Sequence, residues 1–155
     1  EKKIILIGVS YALLDFIDNF SLKTKNLVII ETGGMKGRRK EITREELHDK
    51  LKRGFNSNNI KSEYGMTELL SQAYSNTNGI FKSPPWLKIL VREINDPLYV
   101  KSHGKGALNF IDLANVNSCS FIASDDIGEV YRDSSFKVLG RLSDSEIRGC
   151  NLMFN

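Results

Sequence analysis

The residues best suited to chemistry in this chain lie in the run Glu63-Tyr64-Gly65-Met66-Thr67-Glu68. A strand that ends in Tyr-Gly and passes into Thr-x-Glu sets a hydroxyl and a carboxylate at the carboxyl end of a sheet, the edge where open α/β sheets bind ligands. Thr67 can reach a phosphate oxygen, and Glu68 can hold magnesium, which prefers oxygen ligands. The plainer reading is that Thr67 caps a helix and Glu68 favours its dipole. Thr32-Gly33-Gly34 follows another apolar run; its glycines either admit a planar ligand to the backbone or serve a turn that needs positive φ. Ser124-Asp125-Asp126-Ile127-Gly128 sets two acids at an expected strand end, as ribose ligands or as turn residues. Arg141, after Gly140, can fork onto a phosphate or form a surface ion pair with Asp144 or Glu146. Cys150, beside Arg148, is a candidate thiolate or a small buried apolar residue. Cys119 fits a core position.

The elements that would position these groups follow from periodicity. Lys3–Val9 and Leu27–Ile30 are near-continuous apolar runs, as in parallel strands buried on both faces. Ser10 can cap a helix over Tyr11–Phe20, where Leu13, Leu14, Ile17 and Phe20 recur at helical spacing. Thr43 and Glu46 form a capping box for a second helix; Glu45 and Glu46 suit its start, Lys50, Lys52 and Arg53 its end. Gly54 can close it. Ile60–Tyr64 reads as a third strand and Met66–Tyr74 as a helix or helical turn.

After residue 80 the pattern changes. Pro84, Pro85 and Pro97 punctuate the transition. Short β-rich runs follow at Leu87–Val91, Leu98–Val100, Ala107–Leu113, Cys119–Ala123, Gly128–Arg132 and Phe136–Leu139. Turns such as His103-Gly104-Lys105-Gly106 and Asp133-Ser134-Ser135 separate them, which suggests an antiparallel meander or small barrel. The expected fold class is α/β: a parallel β-α-β unit over residues 1–80, an antiparallel β-rich subdomain over 81–140, and a tail over 141–155.

Composition narrows the function classes. The 155 residues are 41% hydrophobic and 26% charged, ordinary for a folded domain. The net charge of +3, with the only basic cluster at Lys36, Arg38, Arg39 and Lys40, does not indicate a nucleic-acid partner. Two cysteines and two histidines, His48 and His103, give neither a disulfide framework nor a zinc pattern. No apolar run reaches membrane-spanning length and no secretory signal is evident, so a reduced, cytoplasmic setting is expected.

In order, these segments resemble the adenylate-forming enzymes, which include acyl-CoA synthetases and phenylacetate–CoA ligases. Tyr64-Gly65-Met66-Thr67-Glu68 is similar to their Tyr-Gly-x-Thr-Glu motif, and Thr32-Gly33-Gly34 to the glycine pair set against the acyl-adenylate. Ser124-Asp125-Asp126 resembles their Thr-Gly-Asp, with Asp126 as the ribose ligand. Gly140-Arg141 resembles the Gly-Arg before their hinge. Glu31-Thr32-Gly33-Gly34-Met35-Lys36-Gly37, Leu69 with Ser71-Gln72, and Arg148-Gly149-Cys150 look most like the acyl-protein synthetases of bioluminescence fatty-acid reductase complexes and their relatives.

That resemblance implies a partial adenylate-forming fold. It also implies ATP and Mg2+ as cofactors, activation of a fatty or other carboxylic acid to acyl-AMP, and transfer of the acyl group to Cys150 and then to a reductase-like acceptor protein. Thr67, Glu68 and Cys150 would act in catalysis, and Gly33, Gly34, Tyr64, Gly65, Asp126 and Arg141 in nucleotide binding. The chain departs from the family where it has Leu142-Ser143-Asp144 for x-Asp-Asp, and where Glu146-Ile147-Arg148-Gly149 shortens the usual Ile-Lys-x-Arg-Gly. It shows no triphosphate loop and no mobile domain with a catalytic lysine. The expectation is therefore a C-terminal fragment not competent alone. CoA transfer by a phenylacetate–CoA ligase-like protein, or a non-catalytic domain that binds an acyl chain or a partner, are the alternatives.

Overall fold

A computed structural model describes residues 2–22, 24–75 and 79–142. The chain divides into two compact units. The first is Glu1–Tyr64 with Ser75–Gly79; the second is Gly65–Tyr74 with the chain from Ile80 on.

The first unit is a parallel three-stranded sheet in the order β1 (Ile4–Val9), β2 (Leu27–Thr32), β3 (Ile60–Tyr64). Helices α1 (Ser10–Asn19) and α2 (Arg44–Phe55) form the crossovers. Leu13 and Leu14 of α1 and Leu47 and Leu51 of α2 share one core with Leu27, Ile29 and Ile60. Phe16 stacks on Phe55 with ring centroids 5.7 Å apart. The expectation of a doubly buried first strand fails: Ile5 and Ile7 are each 57% exposed. Among the described residues β1 pairs with β2 alone, and apolar composition cannot cover an edge.

The helix ends show which local signals hold. Thr43 and Glu46 form the expected capping box, Glu46 N donating to Thr43 Oγ1 at 3.2 Å and Thr43 N to Glu46 Oε2 at 3.1 Å. Ser10 does not cap α1 but is its first residue; its hydroxyl instead donates to Glu31 Oε2 at 2.8 Å. Gly54 does not close α2, because Asn56 takes the left-handed position with φ 48°. Gly54 is there for contact: a Cβ would lie 2.7 Å from Cβ, Cγ2 and Cδ1 of Ile17.

A buried polar cluster binds the elements of this unit together. Glu31, 5% exposed near the end of β2, receives Ser10 from α1. His48 Nε2 of α2 lies 3.0 Å from Ser62 Oγ of β3 and 3.4 Å from Glu31 Oε1. Arg44 adds a loose ion pair at 3.9 Å. This is no hydrolytic triad, since the serine and the carboxylate meet the same ring nitrogen and Ser62 is buried. Burial pushes the Glu31 carboxyl upward, but bonds from His48, Ser62 and Ser10 and the charge of Arg44 hold it below its ordinary value.

The second unit is antiparallel. Its strands run β5 (Ile80–Lys82), β10 (Phe136–Arg141), β9 (Phe121–Val130), β8 (Gly104–Asp112), β6 (Leu87–Arg92), β7 (Val100–Lys101); β4 (Ala73–Ser75) is a short strand at the boundary. Two expected strands, Cys119–Ala123 and Gly128–Arg132, are one ten-residue strand, β9. The expected turn at His103–Gly106 is mostly strand, since β8 begins at Gly104. Gly106 opposes Gly128 across β8 and β9. A Cβ on either would meet backbone oxygens, Arg92 O at 2.4 Å and Lys137 O at 2.6 Å, so these glycines mark close strand approach rather than turns. Phe81 and Phe136 stack in the core at 5.5 Å.

Gly54→Ala tests the helix contact. Helix propensity alone favours alanine by about 1 kcal/mol, but overpacking against Ile17 costs about 1–3 kcal/mol. Urea unfolding is therefore expected to register a net loss of stability rather than the usual gain. A second test concerns pH. A carboxyl whose folded pKa is depressed stabilises the fold above the ordinary carboxyl range and loses that contribution as pH falls through the folded value. Glu31→Gln is expected to cost about 1–3 kcal/mol at neutral pH and to flatten the decline of stability on acidification, followed by thermal unfolding across pH.

Candidate functional site

The candidate residues fall in both units. In the first, Gly33 and Gly34 leave the carboxyl end of β2 with φ of 72° and 67°. That conformation accounts for both glycines, as the turn reading expects. Crowding adds to it at Gly33, where a Cβ would meet Lys36 Cε at 3.3 Å, whereas at Gly34 a Cβ would meet nothing within 4 Å. Tyr64 ends the adjacent parallel strand β3, so β2 and β3 finish at the same edge of this unit's sheet. Thr32 Oγ1 lies 3.5 Å from Glu63 O across that edge.

Gly65, Thr67 and Glu68 belong to the second unit, and all three are exposed. Of the helix or helical turn expected over Met66–Tyr74, no helix forms and only a short turn remains. Residues 67 and 68 sit in a turn closed by Leu69 N donating to Met66 O at 3.1 Å, and strand β4 begins at Ala73. With no helix to cap and no dipole to favour, the plain local explanation of Thr67 and Glu68 fails.

What holds this turn is a side chain that motif reasoning passed over. Asp112, at the end of β8, is 0% exposed. Its Oδ2 accepts from Leu70 N at 3.0 Å and Ser71 N at 2.9 Å. Its Oδ1 accepts from Ser71 Oγ at 2.7 Å and Ala114 N at 3.1 Å. Trp86 Nε1 donates to Ser71 Oγ at 3.0 Å. Asn115 Nδ2 donates to Glu68 O at 2.8 Å and to Cys119 O at 3.0 Å. Burial raises the Asp112 carboxyl's pKa, and the bonds from Ser71, Ala114 and Leu70 more than offset this, leaving it below its ordinary value. A signal for Asp112 was in the sequence. Leu108, Phe110 and Asp112 share one face of β8 by alternation, and an acid at a core-facing position requires donors.

Asp125 and Asp126 do not end a strand but lie within β9, with β8 on one side and β10 on the other. Asp126 is the register partner of Arg141, and Arg141 Nε meets Asp126 Oδ1 at 3.0 Å. The Asp126 side chain is 13% exposed and that of Arg141 46%. Cys119, expected in the core, is an exposed free thiol, because it precedes β9 in the loop after the Leu113–Asn115 turn. Cys150, Asp144, Glu146 and Arg148 lie outside the described residues. Among the described residues no group of three or more His, Cys, Asp or Glu side chains forms a metal cage. A lone exposed carboxylate such as Glu68 fits a magnesium ion that brings phosphate oxygens and water of its own. No helix among the described residues is long and apolar enough to cross a membrane.

Solved structures share this architecture. Coronafacic acid ligase from Pectobacterium brasiliense matches with a TM-score of 0.61 at 19% identity, over 88% of this chain and 29% of its own. The O-succinylbenzoate coenzyme A synthetase of Bacillus subtilis, solved with ATP and magnesium, gives 0.61 at 18% identity over 94% and 33%. ATP-bound MatB from Rhodopseudomonas palustris gives 0.62 at 14% identity over 89% and 31%. At these identities the likeness establishes a partial adenylate-forming fold, and the chain spans about a third of the length of these proteins. No curated protein matches the sequence. The family model for acyl-protein synthetases of the LuxE type matches residues 1–155, and the chain belongs to that family.

Proposed function

We propose that the chain is the adenylate-binding and acyl-accepting part of an enzyme that activates a fatty, or other long-chain, carboxylic acid with ATP. The acid's carboxylate attacks the α-phosphate, pyrophosphate leaves, and acyl-AMP forms. A cysteine thiolate then attacks the acyl carbonyl, AMP leaves, and a thioester results. Charge that develops during such transfers is stabilised by fixed cations and donors. Thr67 would contact the α-phosphate, Glu68 would hold magnesium, and Asp126 would accept the ribose hydroxyls. Arg141 would steady the nucleotide, while Gly33 and Gly34 lie against the acyl-adenylate and Tyr64 and Gly65 frame the nucleotide. Magnesium, when bound, neutralises phosphate charge.

The observation that carries this reading is the Thr67–Glu68 turn. It is exposed, starts no helix, and rests on a fully buried carboxylate, which suits a ligand-facing role better than a local structural one. Cys150 is the proposed nucleophile, a reductase-like protein the proposed final acceptor, and the cytoplasm the setting a free thiol favours. Adenylation as a whole is assigned to the complete enzyme.

The test is to expose the chain to a long-chain acyl-AMP and locate hydroxylamine-labile label by mass spectrometry. Label is expected on Cys150, absent in Cys150→Ser, retained in Cys119→Ser, and reduced about tenfold or more in Asp126→Ala, the equivalent of losing one charged hydrogen-bond partner. Label that survives Cys150→Ser would remove the acceptor assignment. Acylation unaffected by Asp126→Ala would remove the ribose assignment.

A further inference from the structure

We propose that Asn115 and Asp112 are positioning residues for the nucleotide-bound magnesium. They set the backbone from which Glu68 presents its carboxylate, although neither is placed to touch substrate. The proposal rests on the reading of Glu68 given above.

The case is geometric. Glu68 is exposed, so its own side chain has little packing to define it. Its direction must come from the main chain, and two anchors on either side hold that main chain. On the near side, the buried Asn115 amide donates to Glu68 O itself. On the far side, Asp112 holds the amides of Leu70 and Ser71 and the hydroxyl of Ser71. Met66 O closes the turn onto Leu69 N. Both anchoring side chains come from a single short stretch, the end of β8 and the Leu113–Asn115 turn, whose first residue is tied by Leu113 N to Trp86 O at 3.0 Å. Trp86 in turn reaches Ser71 through its indole nitrogen. A ligand held within about half an ångström requires such outer support, and a loop with only the Met66–Leu69 bond would not supply it.

The Asn115 anchor also extends to a second loop. The same amide nitrogen that holds Glu68 O holds Cys119 O, so the two loops share one donor group. Removal of that amide frees both carbonyls without touching the carboxylate of Glu68, the hydroxyl of Thr67, or the Asp126–Arg141 pair. A metal-dependent interaction and a metal-independent one should therefore separate.

The experiment is a calorimetric titration of the chain and its Asn115→Ala variant with two probes, ATP over a series of magnesium concentrations and a non-hydrolysable acyl-adenylate analogue without metal. The expected result is that Asn115→Ala raises the magnesium concentration needed for half-maximal ATP binding about tenfold, the loss of one or two hydrogen bonds. Affinity for the metal-free analogue should stay within about twofold. Emission from Trp86, the only tryptophan, monitors whether the Asp112–Ser71 cluster is intact, and Ser71→Ala serves as the second variant with the same expected split. Equal weakening of both probes by both variants, or no change in either, would overturn the positioning role while leaving the nucleotide reading standing. Failure of the unaltered chain to bind either probe would overturn both.

Discussion

An ionised carboxylate can stay inside a protein only when donors replace the water it leaves, and Asp112 gathers four of them within one β-rich unit. Two are backbone amides of the segment that follows Glu68, so satisfying a buried charge and fixing the Thr67–Glu68 turn are one physical event. Strand β8 delivers Asp112 to that point because its pleat continues inward from Leu108 and Phe110. The rigidity comes from the sheet and is passed to an exposed loop, the arrangement by which stable scaffolds carry binding residues.

The first unit repeats the logic with different chemistry. Glu31 occupies the inward parity after Leu27 and Ile29 and finds Ser10, His48 and Arg44 from both helices. Its successor residues are Thr32, Gly33 and Gly34, so a buried acid again sits just behind a candidate loop. In each unit the polar group is retained where an apolar residue would pack more simply.

The sequence made the architecture legible where local signals and tertiary demands coincide. The capping box at Thr43 and Glu46 formed as written, β3 matched residue for residue, and the change from parallel to antiparallel grammar is real. It misled where tertiary contacts override local preference. Gly54 looked like a helix stop but answers to Ile17, and Gly106 looked like a turn residue but answers to neighbouring backbone. The acids at 125 and 126 suggested a strand end or turn, yet β9 carries Asp126 opposite Arg141. The motif residues could be singled out because their types name a chemistry. Asp112 gave only the signal of an acid at a core-facing position, and Asn115 gave none, because their partners lie more than forty residues away.

The central claim is that the anchored turn presents Glu68 to a metal bound with nucleotide. The most direct measurement replaces magnesium with paramagnetic manganese and follows amide resonances of the isotopically labelled chain in the presence of ATP. The account predicts selective broadening of the amides of residues 66–71 that disappears in Glu68→Gln while the diamagnetic spectrum of the fold is unchanged. Broadening that survives Glu68→Gln, or that centres on other carboxylates and spares this turn, would contradict it.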